Sequence, residues 1–583
     1  MRRLYWIATR TGPHLHHQKA ALTSLCYFQM RMFNAMGGEM NEWDRLSKMI
    51  PTVFGAILGS NVLTMSIMNF FECPTRIISV VYFSSLLVMI FLMGKCALQY
   101  PTLTKREHQF CLSLALILFL PRVPYLFEST LGYALNPVGD DYFHIPDLAS
   151  LIHSSQFPPR STYDSTEYLG YYYAAWIPGA AFYHTGLLTT VKQALALLKL
   201  VYALLIVYFP VYASKVLFTD RRYQIAFVIL CCLYGGFDFL YWLSSLEFVP
   251  VHSEWWAADF GFDLQFSNFV TLSLWTPQHF LAGLAVLFGL YVVHTSNRML
   301  AHALSGLFFL SGVFSSPYTV LGATPLVIWY FLSSGKFRAL LAAAPVFILI
   351  SLPLWWVLIG VDRLEFQWFG ALADEWKNSK RAAFLVFLLI ILLELWPLIL
   401  AAGYFVVRAR RLLWLFALSM SYLLSTFFFY YYANYSMRGS IVPIFTLTYL
   451  ATPILYAVYQ GKPRRWLRVV AVLYLLGGVL EYASFTRSAV LGFRESRTTF
   501  NARALQSNQG SQELVSMELT QEAGQDDARW RLLEKLKPIR KSTLTDDEAW
   551  LTRPDSRYRL TLSRLLGTTP GAFPEAAGKA VAQ

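Results

Sequence analysis

Apolar residues in this chain come in long runs separated by short polar stretches, with none of the strict alternation of a half-buried strand. The runs fall at 50–70, 77–98, 109–127, 195–213, 224–246, 268–293, 303–333, 339–360, 382–407, 412–432, 440–459 and 467–486. Lipid offers no partners to backbone N–H and C=O groups, so a segment of about 20 apolar residues crosses as a helix. The run 303–333 is long enough for two short helices, and Ser316-Pro317 marks the break between them. The pattern predicts an all-α, polytopic transmembrane fold with about thirteen crossings.

Short cytoplasmic loops collect Lys and Arg, so the sign pattern orients the runs. The N-terminal segment, Lys105/Arg106, Lys215/Arg221/Arg222, Lys336/Arg338, Arg408/Arg410/Arg411 and Lys462/Arg464/Arg465/Arg468 are all expected inside. One arrangement satisfies them, provided that 171–186, YYYAAWIPGAAFYHTG, does not cross. Its Tyr and Trp density suits a helix or re-entrant segment at the membrane interface. The expected organisation is a cytoplasmic N-terminal segment, 1–48, and two helices in 49–108. A transmembrane core follows over 109–486 with a large external loop, 128–193, and then a polar external tail or small domain, 487–583. Loop 247–267 has Glu247, Glu254, Asp259 and Asp263 without Lys or Arg, as an external location requires.

Composition agrees: 56% of the residues are hydrophobic and 14% charged, against roughly 25% charged in an ordinary globular protein. A soluble enzyme, a disordered scaffold and a secreted disulfide module are excluded. The net charge of +13 lies in short clusters between apolar runs instead of one basic stripe, so no nucleic-acid partner is expected. The six cysteines show no C-x-x-C and no zinc spacing and read as packing residues. The first 48 residues hold seven Lys/Arg and no long apolar stretch, so no cleavable signal peptide is expected. Neither a Walker-type nor a dinucleotide-binding glycine motif occurs, which disfavours an ATP-driven pump.

The richest chemistry lies in 136–176, NPVGDDYFHIPDLASLIHSSQFPPRSTYDSTEYLGYYYAAW. Asn136-Pro137 and Gly139 make a turn that delivers Asp140 and Asp141 near the membrane surface. A helical pattern from Tyr142 places His144 one turn from the acid pair. Adjacent carboxylates suit a general base or a divalent metal, because a nearby cation or proton acceptor relieves their repulsion. The plain alternative is a helix N-cap, in which an Asp accepts backbone N–H bonds and has no other task. His153, Asp164 and Glu167 share the same loop.

An acidic pair in an external loop, D-x-x-H from Asp141 to His144, an amphipathic helix ending at Phe157-Pro158-Pro159 and an aromatic run before the next helices resemble the GT-C superfamily. Its members are integral-membrane glycosyltransferases that use polyprenyl- or dolichyl-phosphate-linked sugars. The resemblance covers roughly 109–486 and departs from the family in the two extra helices ahead of the core. It implies transfer of a sugar from a lipid-phosphate donor to an acceptor on the external side of the membrane. Asp140 or Asp141 would then be the base for the acceptor hydroxyl, with the other orienting it or holding Mg or Mn, and His144 beside them.

Three other segments suit such a donor. TPQH, 276–279, opens an apolar helix at its external end and brings Gln278 and His279, with free backbone N–H groups, to the same side. Arg438 lies on the external turn NYSMRGS, where a guanidinium can clamp a phosphate; the alternative is a snorkelling anchor. His252, Glu254 and Trp255 sit on 245–263, where aromatic faces beside carboxylates suit a sugar; the alternative is an interfacial Trp belt. Glu394, in LLELWP, is an acid deep in an apolar run. It suits either a proton pathway or a side chain that satisfies a kink at Pro397. A transporter or flippase for a lipid-linked or small polar substrate is therefore the competing reading, with membrane lipids as partners in both. The sugar and the acceptor are not legible.

Overall fold

The computed structural model describes residues 42–96, 98–128, 135, 137–138, 140–160, 169, 173–236, 266–354, 380–409, 412–425, 437–461 and 465–510. Among them the regular elements are helical throughout, with one isolated bridge between Pro74 and Gln156. The helices are α1 (Glu42–Phe70), α2 (Ile78–Lys95), α3 (Lys105–Phe119), α4 (Val123–Leu126), α5 (Asp141–His153), α6 (Ile177–Phe182), α7 (Val191–Leu217), α8 (Arg221–Leu233) and α9 (Phe269–Leu274). There follow α10 (Pro277–Thr295), α11 (Met299–Ser315), α12 (Pro317–Ser334), α13 (Phe337–Ser351), α14 (Lys380–Ala409), α15 (Leu413–Ser425), α16 (Ile441–Gln460) and α17 (Arg465–Gly510). The chain is an all-α, polytopic membrane protein: among the described residues nine helices are long and apolar enough to cross a bilayer.

The most apolar windows of α7 and α10 are each 72% buried, against 28% for α2 and its leading turn and 22% for α13 and its trailing turn. The first two therefore form the centre of the bundle and the last two its lipid-facing edge. Helix starts are fixed locally. Thr104 and Glu107 form a reciprocal capping box at α3, and Thr190 and Gln193 form another at α7.

Hydrogen bonds sort the connecting segments into two groups. In one, Lys215 donates to Thr102 O and pairs with Glu107, both at 3.0 Å; Arg298 donates to Lys95 O at 2.5 Å; and Lys336 donates to Val293 O at 2.6 Å. In the other, Lys192 donates to Glu128 Oε1 at 2.5 Å and Leu135 O at 2.6 Å, and the Leu135 N–H donates to the same carboxylate at 2.9 Å. That clamp holds the start of the large loop against α7.

Several elements depart from the sequence expectation. The run 268–293 is two helices, α9 and α10, because Pro277 opens a new helix after Trp275 and Thr276. The break at Ser316 between α11 and α12 is as expected. Segment 171–186 folds, from Tyr173 onward, into a 3₁₀ turn (Tyr173–Trp176), α6 and a π turn from Tyr183, each too short to cross. The rings of Tyr173 and Trp176 are buried in protein and do not meet the lipid interface. Helix α17 continues past the end of its apolar run to Gly510, since Arg, Glu, Ala, Leu and Gln in 494–510 sustain a helix without apolar character.

Pro397 lies inside α14 and removes the N–H that would serve the carbonyl of Leu393. Tyr474 Oη donates to that carbonyl at 2.7 Å, and Tyr234 Oη donates to the carbonyl of Glu394. Tyrosines from outside α14 satisfy the backbone at this point. The Glu394 carboxylate packs against Gly236, where a Cβ would overlap Oε2.

Gly306 brings α11 against α13 so closely that a Cβ would lie 2.3 Å from Ala343 O, whereas at Gly94 nothing lies within 4 Å. Gly306→Ala is expected to cost about 1–3 kcal/mol, read as a lower unfolding temperature in detergent. Gly94→Ala should leave it unchanged or raise it.

Candidate functional site

Prolines shape the first wall of the site. After α3 the chain makes a 3₁₀ turn, Leu120–Arg122, between Pro121 and Pro124, which swings Arg122 inward until it is 2% exposed. Asp140 occupies the N-cap of α5 but makes no side-chain cap bond, so the capping alternative does not describe it. Asp141 is the first residue of α5 and is fully buried.

Arg122 grips Asp141 side-on: Nε donates to Oδ2 at 2.9 Å and Nη2 to Oδ1 at 3.1 Å. The same Nη2 donates to the carbonyl of Leu274 at 2.5 Å, and the Phe485 ring of α17 stacks 4.6 Å from the guanidinium. Lys199, from α7, brings Nζ to 3.3 Å from Asp141 Oδ1 and 3.1 Å from His144 Nδ1. His144 in turn lies 4.6 Å, ring to ring, from Trp176, and its Nε2 is 3.3 Å from the amide nitrogen of Gln278. His144 Nδ1 is also 3.5 Å from Asp141 Oδ1; where Lys199 donates to Nδ1 as an ammonium, the imidazole proton sits on Nε2. The Gln278 amide then accepts it with its oxygen, an assignment made from the network.

Burial alone would raise the Asp141 carboxyl, but the Arg122 and Lys199 charges outweigh it and hold the group well below the usual carboxylate range. Burial, reinforced by Lys199, pushes the His144 imidazole down to about 3, so it is neutral at physiological pH. Asp147, one turn beyond His144, is pushed up to about 8 by burial. Asp141 is thus a permanent anion whose oxygens are taken by cations, which makes it a weak base. A divalent ion at Asp141 would face Arg122 and Lys199 at ion-pair distance, so this carboxylate does not suit Mg or Mn. Among the described residues no group of three His, Cys, Asp or Glu side chains is placed to hold a metal.

The structure unites several residues read from separate segments. His144, one turn from the acid pair, meets Gln278 across 134 positions of sequence. His279 is fully buried beside them, within electrostatic reach of His144 and Arg438. Arg438 itself lies 5.8 Å from the Tyr318 ring, and the neighbouring Met437 Sδ accepts from Thr276 Oγ1 at 3.8 Å. His252, Glu254, Trp255, Asp164 and Glu167 lie outside the described residues. Arg122, Lys199, Trp176 and Asp147 were not read as site residues. The signal for the first two was there: both are cations on the side of the membrane from which the sign pattern should exclude them. Comparison with models of known families, with curated proteins and with solved structures yields no match.

The sequence alone predicts that either aspartate can be replaced without cost to folding; the geometry separates them. Asp141→Asn leaves Arg122 and Lys199 buried beside a neutral amide, at an expected cost of about 3–5 kcal/mol. Asp140→Asn should stay within about 0.5 kcal/mol of the parent. Thermal unfolding in detergent separates the two. Asp147 behaves oppositely with pH: its folded pKa exceeds the unfolded value of about 3.9, so its contribution is fully present below that value and is lost as pH rises through about 8. Asp147→Asn should therefore stabilise more at pH 8 than at pH 5, by on the order of a few kcal/mol. An equal gain at both would show that Asp147 does not titrate in this window.

Proposed function

We propose that the chain is a membrane glycosyltransferase of GT-C type that moves a sugar from a polyprenyl-phosphate donor to an acceptor at the external face. The observation that carries this reading is the contact of His144 with Gln278, which joins the acidic loop to the TPQH helix start. The buried cluster has two cations, Arg122 and Lys199, against the one carboxylate of Asp141, with Asp140 coupled electrostatically to Lys199. Two of the three Lys199 donors are placed by Asp141 and His144, which leaves one for a ligand oxygen. Together with Arg438, this end of the bundle favours an anion.

In the reaction the acceptor hydroxyl attacks the anomeric carbon and the bond from that carbon to the phosphate oxygen breaks. The acceptor proton passes to Asp140, and the lipid phosphate leaves with the bonding electrons, steadied by Lys199 and Arg438. Asp141 holds Lys199 and His144 in place. Basic loops at the opposite end favour a cytoplasmic N-terminus and an external tail. A transporter is the second reading, favoured by Glu394, an acid 5% exposed inside a spanning helix.

Native mass spectrometry of protein purified in gentle detergent is expected to detect a bound lipid phosphate that is lost in Arg438→Ala. With that donor, Asp140→Asn should lower kcat by about 10²–10⁴-fold at unchanged unfolding temperature. Finding only bulk phospholipid would overturn the transferase and favour the transporter.

A further inference from the structure

Around His144 two buried polar groups lack, among the described residues, the partners that protein interiors normally provide, and a buried carboxyl lies one turn away. Among the described residues the indole Nε1 of Trp176, a fully buried residue, has no hydrogen-bond partner, and neither has Oε1 of Gln278, which is 2% exposed. Turning the Gln278 amide so that its oxygen meets His144 moves the deficit to the NH₂ group and does not remove it. Asp147 is 5% exposed and has no hydrogen bond or ion pair with any described residue. Two side chains meet at His144, Trp176 against its ring and Gln278 at its Nε2, and Asp147 follows it by one turn on α5. Arg122, Asp141 and Lys199, a few ångströms away, are by contrast well paired.

The three groups differ in sense. An indole donates, an amide offers whichever atom His144 does not use, and a carboxyl held neutral by burial both donates and accepts. Vicinal hydroxyls on a ring match this combination. A phosphate does not match it, because it would meet the Asp147 carboxyl, and the cations that suit an anion lie on the Lys199 side.

We propose that Trp176, Gln278 and Asp147 form a subsite, centred on His144, for the hydroxyls of a neutral sugar ring. The identity of the ligand as a sugar rests on the transferase reading, whereas the unmet hydrogen bonds do not.

The test is NMR of the full chain with ¹⁵N-labelled indoles, held in an amphipol that carries no sugar headgroup. With 17 tryptophans present, Trp176→Phe identifies the resonance. Neutral hexoses, N-acetylhexosamines and pentoses are titrated, with inorganic phosphate as the anionic probe. At least one neutral sugar should shift the Trp176 indole signal saturably, and Asp147→Asn or Gln278→Leu should weaken the apparent Kd about tenfold. No shift with any neutral sugar, a shift with phosphate alone, or unchanged affinity in both variants overturns the subsite. Exchange cross-peaks to water that no sugar perturbs would assign the unmet bonds to ordered water and overturn it as well. Sugar binding without a co-purifying lipid phosphate would leave the subsite standing and sink the transferase; lipid phosphate with a silent indole would do the reverse.

Discussion

A guanidinium and a carboxylate, both withdrawn from water, face each other side-on between Arg122 and Asp141. Ions of this kind lose several kcal/mol of hydration each, and a good geometry with every remaining group satisfied is needed to offset that loss. The pair meets the requirement by enlisting its surroundings. The Leu274 carbonyl ends α9 on Arg122, Phe485 covers the guanidinium, and Lys199 neutralises the far side of the carboxylate. Five segments are thereby fixed to one another, and the orientation of His144 follows from Lys199, which the pair itself holds.

The helical architecture was largely legible, because lipid demands apolar runs of a set length and the runs are plain to read. Ser316-Pro317 was read as a break, and the structure has one there. Less legible were features that depend on where a side chain points. Arg122 ends an apolar run and so resembles a snorkelling anchor until the two flanking prolines turn it inward. Lys199 lies in the first turns of a spanning helix, where the sign pattern disfavours a cation but does not say what it faces. Asp147 belongs by pattern to the polar side of an amphipathic helix; only packing shows that α5 buries it. Asp140 and Asp141 look equivalent as adjacent letters, yet a step of about 100° around a helix puts one among cations and leaves the other half-buried.

The same logic governs the spans. Where water is absent, a lost backbone hydrogen bond must be replaced by protein. At Pro397 the replacement comes from Tyr474 and Tyr234, on α17 and just past the end of α8. The accommodation of Pro397 is therefore not a property of α14 alone. Those hydroxyls tie three parts of the bundle at that depth, close to the small lined space between Tyr234, Asn268, Leu395 and Thr448.

Helix α17 has 46 residues, a rod about 69 Å long, more than twice the roughly 30 Å hydrocarbon core of a bilayer. Its apolar span ends at Arg494, so the part from 495 to 510 extends about 24 Å further along the axis. Phe485 sits on this rod nine positions before Arg494 and touches Arg122. Mechanically the helix couples its two ends: a tilt of the part beyond Arg494 is delivered, through one aromatic ring, to the guanidinium that holds Asp141.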